Sequence, residues 1–371
     1  MEDRENAYRY WLHNVPELGE RAAARLVEVY GSARAIYETP QKEIEEILLK
    51  SGWRQKVVEK KMQAYTGFYG NWKVKENYEK MLDQGIKMIG IWEDGYPKRL
   101  KKLHSPPMIL YYLGSLPAET DCAVALIGAR ECSEYGVYMA KAFGERLGRE
   151  GISIISGMAR GIDGAGQRGA MNVGGNTYGV LGCGVDICYP REHIGLYVDI
   201  QEHVGLLSEQ VPGEPPLPAY FPERNRIISG LSDVVLVMEA KEKSGSLITA
   251  DLALEQGKDV YALPGPVTSP LSKGCHHLIR QGAGILLSPE DLLEELKMEG
   301  GKNRQKIDKN EKVLESPENM VYSCLDLFPK GIDQLIEETH LSVQELLERL
   351  ITLEIKGYIK EISKGYYVRV R

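Results

Sequence analysis

Apolar positions change their spacing twice along this 371-residue chain. Up to about residue 75 they recur at helical intervals, as in YRYWLHNVPELGERAAARLVEVYGSARAIY (8–37), with VPELG (15–19) marking a tight break between two helices. This predicts a small helical-hairpin domain over 1–75. Residues 76–120 form a connecting segment with two short strand candidates, GIKMIGIW (85–92) and PMILYYLG (107–114), around the turn-rich EDGYP and SPP. From 121 the pattern becomes short, almost wholly apolar runs alternating with helical stretches. The runs are CAVALIG (122–128), ISIISG (152–157), NTYGVLG (176–182), GLLSE (205–209), DVVLVME (233–239), DVYALPG (259–265) and GILLS (284–288). Helices are expected over 134–149, 162–173, 246–256 and near 274–281. Runs this apolar suit strands buried on both faces, and the alternation implies right-handed crossovers into a parallel sheet. The predicted fold class is α/β, a Rossmann-like doubly wound parallel sheet over 121–297.

A polar stretch, KMEGGKNRQKIDKNEKVL (297–314), makes 298–315 a linker. Beyond it, 316–371 fits three helices and a hairpin: SPENMVYSCLDLF, GIDQLIEETH, LSVQELLERLITLEIKG and YIKEISKGYYVRV. That order predicts a winged helix. Its third helix opens at Ser342 with Glu345 three residues on, the spacing of a capping box. It carries Glu345, Glu348 and Glu354 against Arg349 and Lys356, so a protein contact or a structural role fits it better than reading DNA.

Charge narrows the partners. The formal net charge is −7, and residues 81–300 hold 20 basic against 28 acidic side chains. Any grip on nucleic acid has to come from a local patch. No apolar run reaches the ~18 residues of a membrane span and the N-terminus lacks a secretory apolar stretch, so the expected location is the cytoplasm, away from membranes. The six cysteines have no paired spacing. Cys275-His276-His277 resembles a metal cluster on paper, but neighbouring residues rarely face one ion together, and packed, reduced thiols with no metal are the better reading.

In a doubly wound sheet, ligands meet the C-terminal ends of the strands, and the chemistry-bearing residues follow those ends. The first strand ends in Gly128-Ala129-Arg130, the second in Ser156-Gly157-Met158-Ala159-Arg160-Gly161-Ile162-Asp163. Glycines let backbone N–H groups approach an anion, and arginine adds a bidentate phosphate donor. Phe221-Pro222-Glu223-Arg224-Asn225-Arg226 sets two arginines about an amide, and Ser244-Gly245-Ser246 leads into a helix whose N-terminus makes a second anion seat. Four such loops on one edge would form a ring of donors: Arg130, Arg160, Arg224, Arg226 and backbone amides. The alternative is that some of these arginines pair with Asp163, Glu209 or Glu239 to hold the loops. Tyr189, Tyr220 and Phe221 would either stack on bases or pack over the edge. GxGxxG and GxxxxGK[ST] are both absent and no nucleophile and base are recognisably paired, so neither a cofactor nor an enzymatic activity is expected. An enzyme cleaving a nucleotide or ribosyl bond on this kind of fold is the alternative.

Taken in order, the motifs resemble the DprA/Smf family: GAR (128–130), SGMARGID (156–163), VLGCGVDICYP (180–190), SE (208–209), FPERNRIISGLS (221–232), EA (239–240), SGSLITA (244–250), PG (264–265) and GCHHLI (274–279). The resemblance spans about 90–290, and the flanking helical, SAM-like domain and winged helix match the family's longer members. It implies a protein that binds single-stranded DNA during natural transformation, loads the RecA recombinase onto it and forms a homodimer through the Rossmann-like domains. It implies phosphate contacts from Arg130, Arg160, Arg224 and Arg226, and dimer contacts at His277, Leu278 and Ile279. Two positions depart from the family pattern. Ala129 stands where a serine is usual, and Gly166-Gln167 where Ala-His is usual.

Overall fold

A strand that is apolar at every position needs cover on both faces, and the central strands of this chain receive it. The computed structural model describes residues 2–299, 316–325, 330–363 and 365–369. Described residues up to 299 form one compact unit and those from 316 a second.

The first unit opens with six helices, α1 (Glu2–Asn14), α2 (Glu20–Tyr30), α3 (Ala33–Glu38), α4 (Gln41–Lys50), α5 (Gln55–Tyr69) and α6 (Val74–Asp83). Then come β1 (Lys87–Gly90), α7 (Lys98–Lys101) and β2 (Ile109–Gly114). The core continues as β3 (Ala123–Ile127), α8 (Glu134–Arg149), β4 (Ser153–Ser156), α9 (Ile162–Asn172), β5 (Thr177–Leu181), α10 (Ile194–His203) and β6 (Gly205–Ser208). It closes with α11 (Tyr220–Leu231), β7 (Val234–Val237), α12 (Gly245–Glu255), β8 (Asp259–Ala262), α13 (Lys273–Arg280), β9 (Gly284–Ile285) and α14 (Pro289–Glu299).

The strands lie in the order β1-β2-β6-β5-β4-β3-β7-β8-β9. From β6 to β9 every pairing is parallel, as a Rossmann-like core requires. Side chains alternate across it. Ala123, Ala125 and Ile127 of β3 face a core completed by α11, α12 and α13, whereas Val124 and Leu126 face α8, α9 and α14. The sequence expectation is corrected at one edge: β1 and β2, read as part of a connecting segment, join the sheet antiparallel, β2 alongside β6. α10 corrects it again, since no helix was expected between NTYGVLG and GLLSE.

Glycines set the position of α9, and with it the loop after β4. Gly169 lies so close to α8 that a Cβ there would stand inside the Lys141 carbonyl, and Gly144 of α8 is pressed as tightly on the Gly166 carbonyl. The two helices therefore cross backbone to backbone.

The N-terminal helices are docked on the sheet. Their own core surrounds fully buried Trp11, with Leu26, Ile36, Ile44, Leu48, Val58 and Tyr65. The opposite face of α1 places Ala7 and Tyr10 against Tyr78 and Met81 of α6 and Tyr111 of β2. A boundary at 75 would cut through α6.

The second unit holds α15 (Ser316–Cys324), β10 (Lys330–Gly331), α16 (Ile332–Thr339), α17 (Val343–Ile355), β11 (Ile359–Ser363) and β12 (Tyr366–Arg369), with strand order β10-β12-β11. It is a winged helix built on Val321, Leu335, Leu346, Leu350, Leu353 and Ile359. The capping box forms: Ser342 accepts from the Glu345 backbone N–H, and the Glu345 carboxylate accepts in return. The expected linker lies outside the described residues beyond 299, as does Lys364 of the hairpin turn. Among the described residues no helix is long and apolar enough to cross a membrane.

Candidate functional site

The loops after β3, β4, β5 and β7 all leave the sheet at its C-terminal edge, and β3 lies between β4 and β7. The chain turns away from β3 in opposite directions on its two sides, which opens a crevice at that point. Gly161, at φ +73°, brings the β4 loop so close to the β3 loop that a side chain there would strike the carbonyls of Ala129 and Arg130. Gly128 is similarly pressed by Ile162.

The segment after β6 departs from the expected loop. FPERNRIISGLS belongs to α11, which opens at Tyr220 with Pro222 in its first turn, where a missing N–H costs nothing. A helix gives its arginines fixed and opposite directions. Arg224 points inward and is only 6% exposed. Its Nη1 donates to the carbonyl of Gly157 at 2.9 Å and to that of Val180, and its Nε to Asn225 Oδ1 at 3.3 Å. Burial pulls its guanidinium down to about 10, while Asp163 counteracts this and the neighbouring Arg130 charge adds to it.

Asp163 is the matching anion. Its Oδ2 accepts the Gly157 N–H at 3.1 Å. Burial pushes the carboxyl above its usual range, opposed first by Arg224 and then by hydrogen bonds from Gly157, Ser156 and Ala159. Thus the protein's own carboxylate occupies the amide seat expected for a phosphate. Ser156 turns its hydroxyl to the Leu126 carbonyl at 2.6 Å. Arg226 is likewise engaged, donating from Nη1 to Glu209 at 2.8 Å and from Nε to the Ser105 carbonyl at 2.9 Å. In this conformation Ser156, Gly157, Arg224 and Arg226 build the edge instead of facing solvent, the alternative the sequence left open for Asp163 and Glu209. Glu239, the third such carboxylate, holds the start of α8 by accepting from Ser133 N at 2.8 Å and from Ser133 Oγ.

Other groups at this edge face outward. Arg130 is exposed, and among the described residues it has no carboxylate partner. Its guanidinium carbon lies 5.3 Å from the centroid of the Phe221 ring. Tyr189, 41% exposed, sits on the same ring at 5.5 Å with planes inclined by 36°. Arg160 is exposed and paired with Glu192 at the surface, one of its two contacts being 3.0 Å. Arg191 comes two residues after Tyr189 and is exposed. The sequence reading does not single it out, since it lies well past the end of β5, at the start of the short turn before α10. Cation and rings together offer a phosphate donor beside two π-faces.

The remaining expected residues lie elsewhere. Ser244 caps α12, with Ser246 N–H donating to its hydroxyl at 3.4 Å. This turn is across β3 from the β4 loop, and no described hydrogen bond or ion pair joins it to the four arginines. Leu278 is buried at 3% and packs in the protomer's own core. His277 is exposed and Ile279 half-buried. Cys275 and His276 diverge, the thiol toward the Val237 carbonyl and the ring nitrogen toward that of Gly265. Burial pushes the Cys183 and Cys275 thiols up to about 12, which removes both as nucleophiles near neutrality. Gln167, at a departure from the family pattern, is buried and donates to the Tyr178 carbonyl at 3.2 Å.

Residues 87–297 match the family model for DNA recombination-mediator protein A, and 307–363 that for the DprA winged helix domain. The chain is 39% identical to protein Smf of Escherichia coli over 284 residues, covering 74% of this chain and 75% of that protein. It is 42% identical to the DNA processing protein DprA of Streptococcus pneumoniae over 57% of this chain and 75% of that one. The crystal structure of the pneumococcal protein superposes with a TM-score of 0.66 at 35% identity, over 78% of this chain and 97% of that one. DNA processing protein A from Helicobacter pylori, whose structure addresses its single-stranded DNA binding mode, superposes at 0.53 and 28% identity, over 58% and 96%.

Proposed function

This chain belongs to the DNA recombination-mediator protein A family, and from that premise we propose that it binds single-stranded DNA at the edge formed by Arg130, Phe221 and Tyr189. The observation that carries the reading is Arg130 itself. It is an exposed cation with no carboxylate partner among the described residues, set against an aromatic ring whose neighbour Tyr189 is open to solvent. A phosphate takes the guanidinium and a base takes the rings, which is the sequence-tolerant recognition that single strands allow and duplexes, with their bases stacked inside, do not. The similarity to a relative described by its single-stranded DNA binding mode supports the ligand.

The wider role is inferred from the family. We read the chain as a non-enzymatic mediator that hands the bound strand to RecA during natural transformation, working as a homodimer. His277 and the open part of Ile279 remain available to a second copy. The polar groups of the edge are spent on one another, Asp163 on Gly157 and Glu239 on Ser133, which favours a binding surface over a catalytic one.

Titrating labelled single- and double-stranded oligonucleotides of one sequence tests the reading. The single strand is expected to bind more tightly, with log affinity falling against log salt by about 0.7 for each phosphate contact. Equal affinity for the duplex, or no binding even at low salt, contradicts it.

A further inference from the structure

The pocket edge continues onto a second charged and apolar surface. Beyond Tyr189 the chain makes a short 3-10 turn, Arg191–His193, and runs directly into α10. His193 Nδ1 lies 3.0 Å from the Met158 carbonyl, which fastens this turn to the β4 loop, so pocket and helix form one continuous surface. α10 leaves Ile194 54% and Val198 38% exposed, with Gly195 between them. Arg168, reaching over from α9, pairs with Asp199 on the next turn. Its Nη2 would be 3.9 Å from a Cβ on Gly195, so the guanidinium spreads over a stretch of bare backbone.

The result is a repeat of the arrangement at the pocket rim. Arg160 with Glu192 and Arg168 with Asp199 are both arginine–carboxylate pairs near half exposure, at 63% and 50% in the first and 40% and 42% in the second. Seven residues of mostly helical rise separate the two carboxylates, roughly 10 Å. Exposed pairs contribute about 0–1 kcal/mol, so exchanging the carboxylate for a phosphate of similar bidentate geometry costs little. Ile194 and Val198, exposed on α10 between Glu192 and Asp199 in the chain, are apolar enough to support sugar faces or bases.

We propose that this α9–α10 ridge carries the strand as it leaves the pocket, with Arg168 exchanging Asp199 for a backbone phosphate of single-stranded nucleic acid. The proposal rests on the pocket reading above. Glu192, Asp199 and Glu202 keep the ridge from attracting nucleic acid on its own. It therefore contributes only to strands already anchored at Arg130 and long enough to reach it.

Length dependence tests this. Affinities of the full chain for oligothymidylates of about six and about twenty nucleotides are compared, lengths that bracket a single binding groove. Arg168→Gln is expected to weaken the long oligomer about five- to tenfold and leave the short one unchanged, the loss of one phosphate contact. Asp199→Asn removes the competing carboxylate and is expected to strengthen the long oligomer, the opposite of what loss of a purely structural ion pair would do. The ridge is overturned if Arg168→Gln leaves both lengths unchanged or weakens both equally, or if Asp199→Asn fails to strengthen the long one. The pocket reading fails separately, if Arg130→Ala holds the short oligomer as the wild type does.

Discussion

Replacing Arg224 with methionine is expected to cost the folded state about 3–5 kcal/mol at neutral pH, the usual consequence of stranding one half of a buried charged pair. The side chain is nearly inaccessible, and it joins the β4 loop to the end of β5 through the Gly157 and Val180 carbonyls while facing Asp163. Methionine fills much of the space but leaves those carbonyls without their donor and that carboxylate without its compensating charge. The penalty should depend on pH in a defined direction. Asp163 already sits above its usual range because it is buried, and losing Arg224 raises it further. A carboxyl whose folded pKa is raised stabilises the fold below its unfolded pKa, and that contribution is lost as pH rises through the folded value. The deficit of the variant is thus greatest at neutrality and shrinks toward about pH 4. Urea denaturation followed by circular dichroism measures it, and Asp163→Asn in the same background should recover part of the loss. A variant within about 1 kcal/mol of wild type at pH 7 would show that the clamp is unimportant.

Phe221→Ala is expected to have the next largest effect, on binding. The ring lies against both the Arg130 guanidinium and the Tyr189 ring. Removing it deletes a stacking surface and the platform that orients the guanidinium. Stacking on one base contributes about 1–3 kcal/mol, so affinity for a short single strand should fall between about 5- and 150-fold. No charge is removed, so the slope of log affinity against log salt should hardly change, unlike the slope after an arginine substitution. Wild-type affinity in this variant would mean that Phe221 only packs over the sheet edge.

Much of this architecture is legible in the chain because its signals are local. Apolar runs such as AVALI and VVLV mark strands without reference to anything distant, and Ser342 with Glu345 marks the start of α17 within four residues. The functional edge is less legible because its decisive contacts are long-range. Arg224 and Arg226 look like twin phosphate donors until Asp163 and Glu209 are placed beside them. Nothing local pairs residues 61 positions apart. Pro222 and the charged ERNR stretch imitate a loop, although proline is at home in a helix's first turn. α10 escapes notice because Ile194 and Val198 lie opposite its buried Leu196, Tyr197 and Ile200, which blurs the helical period. Arg130, in contrast, is read correctly as an outward group, since a glycine turn at the end of a buried strand leaves it no other direction.

In the proposed function, one exposed arginine beside two aromatic rings grips a single strand. Fluorescence anisotropy of a short labelled oligothymidylate, titrated with wild type and with Arg130→Ala at one low salt concentration, tests it most directly. A charge-assisted contact contributes about 1.5–3 kcal/mol, so the variant should bind at least about tenfold more weakly while unfolding at the same urea concentration as the wild type. Equal binding by the two proteins would contradict the assignment of this edge as the DNA site.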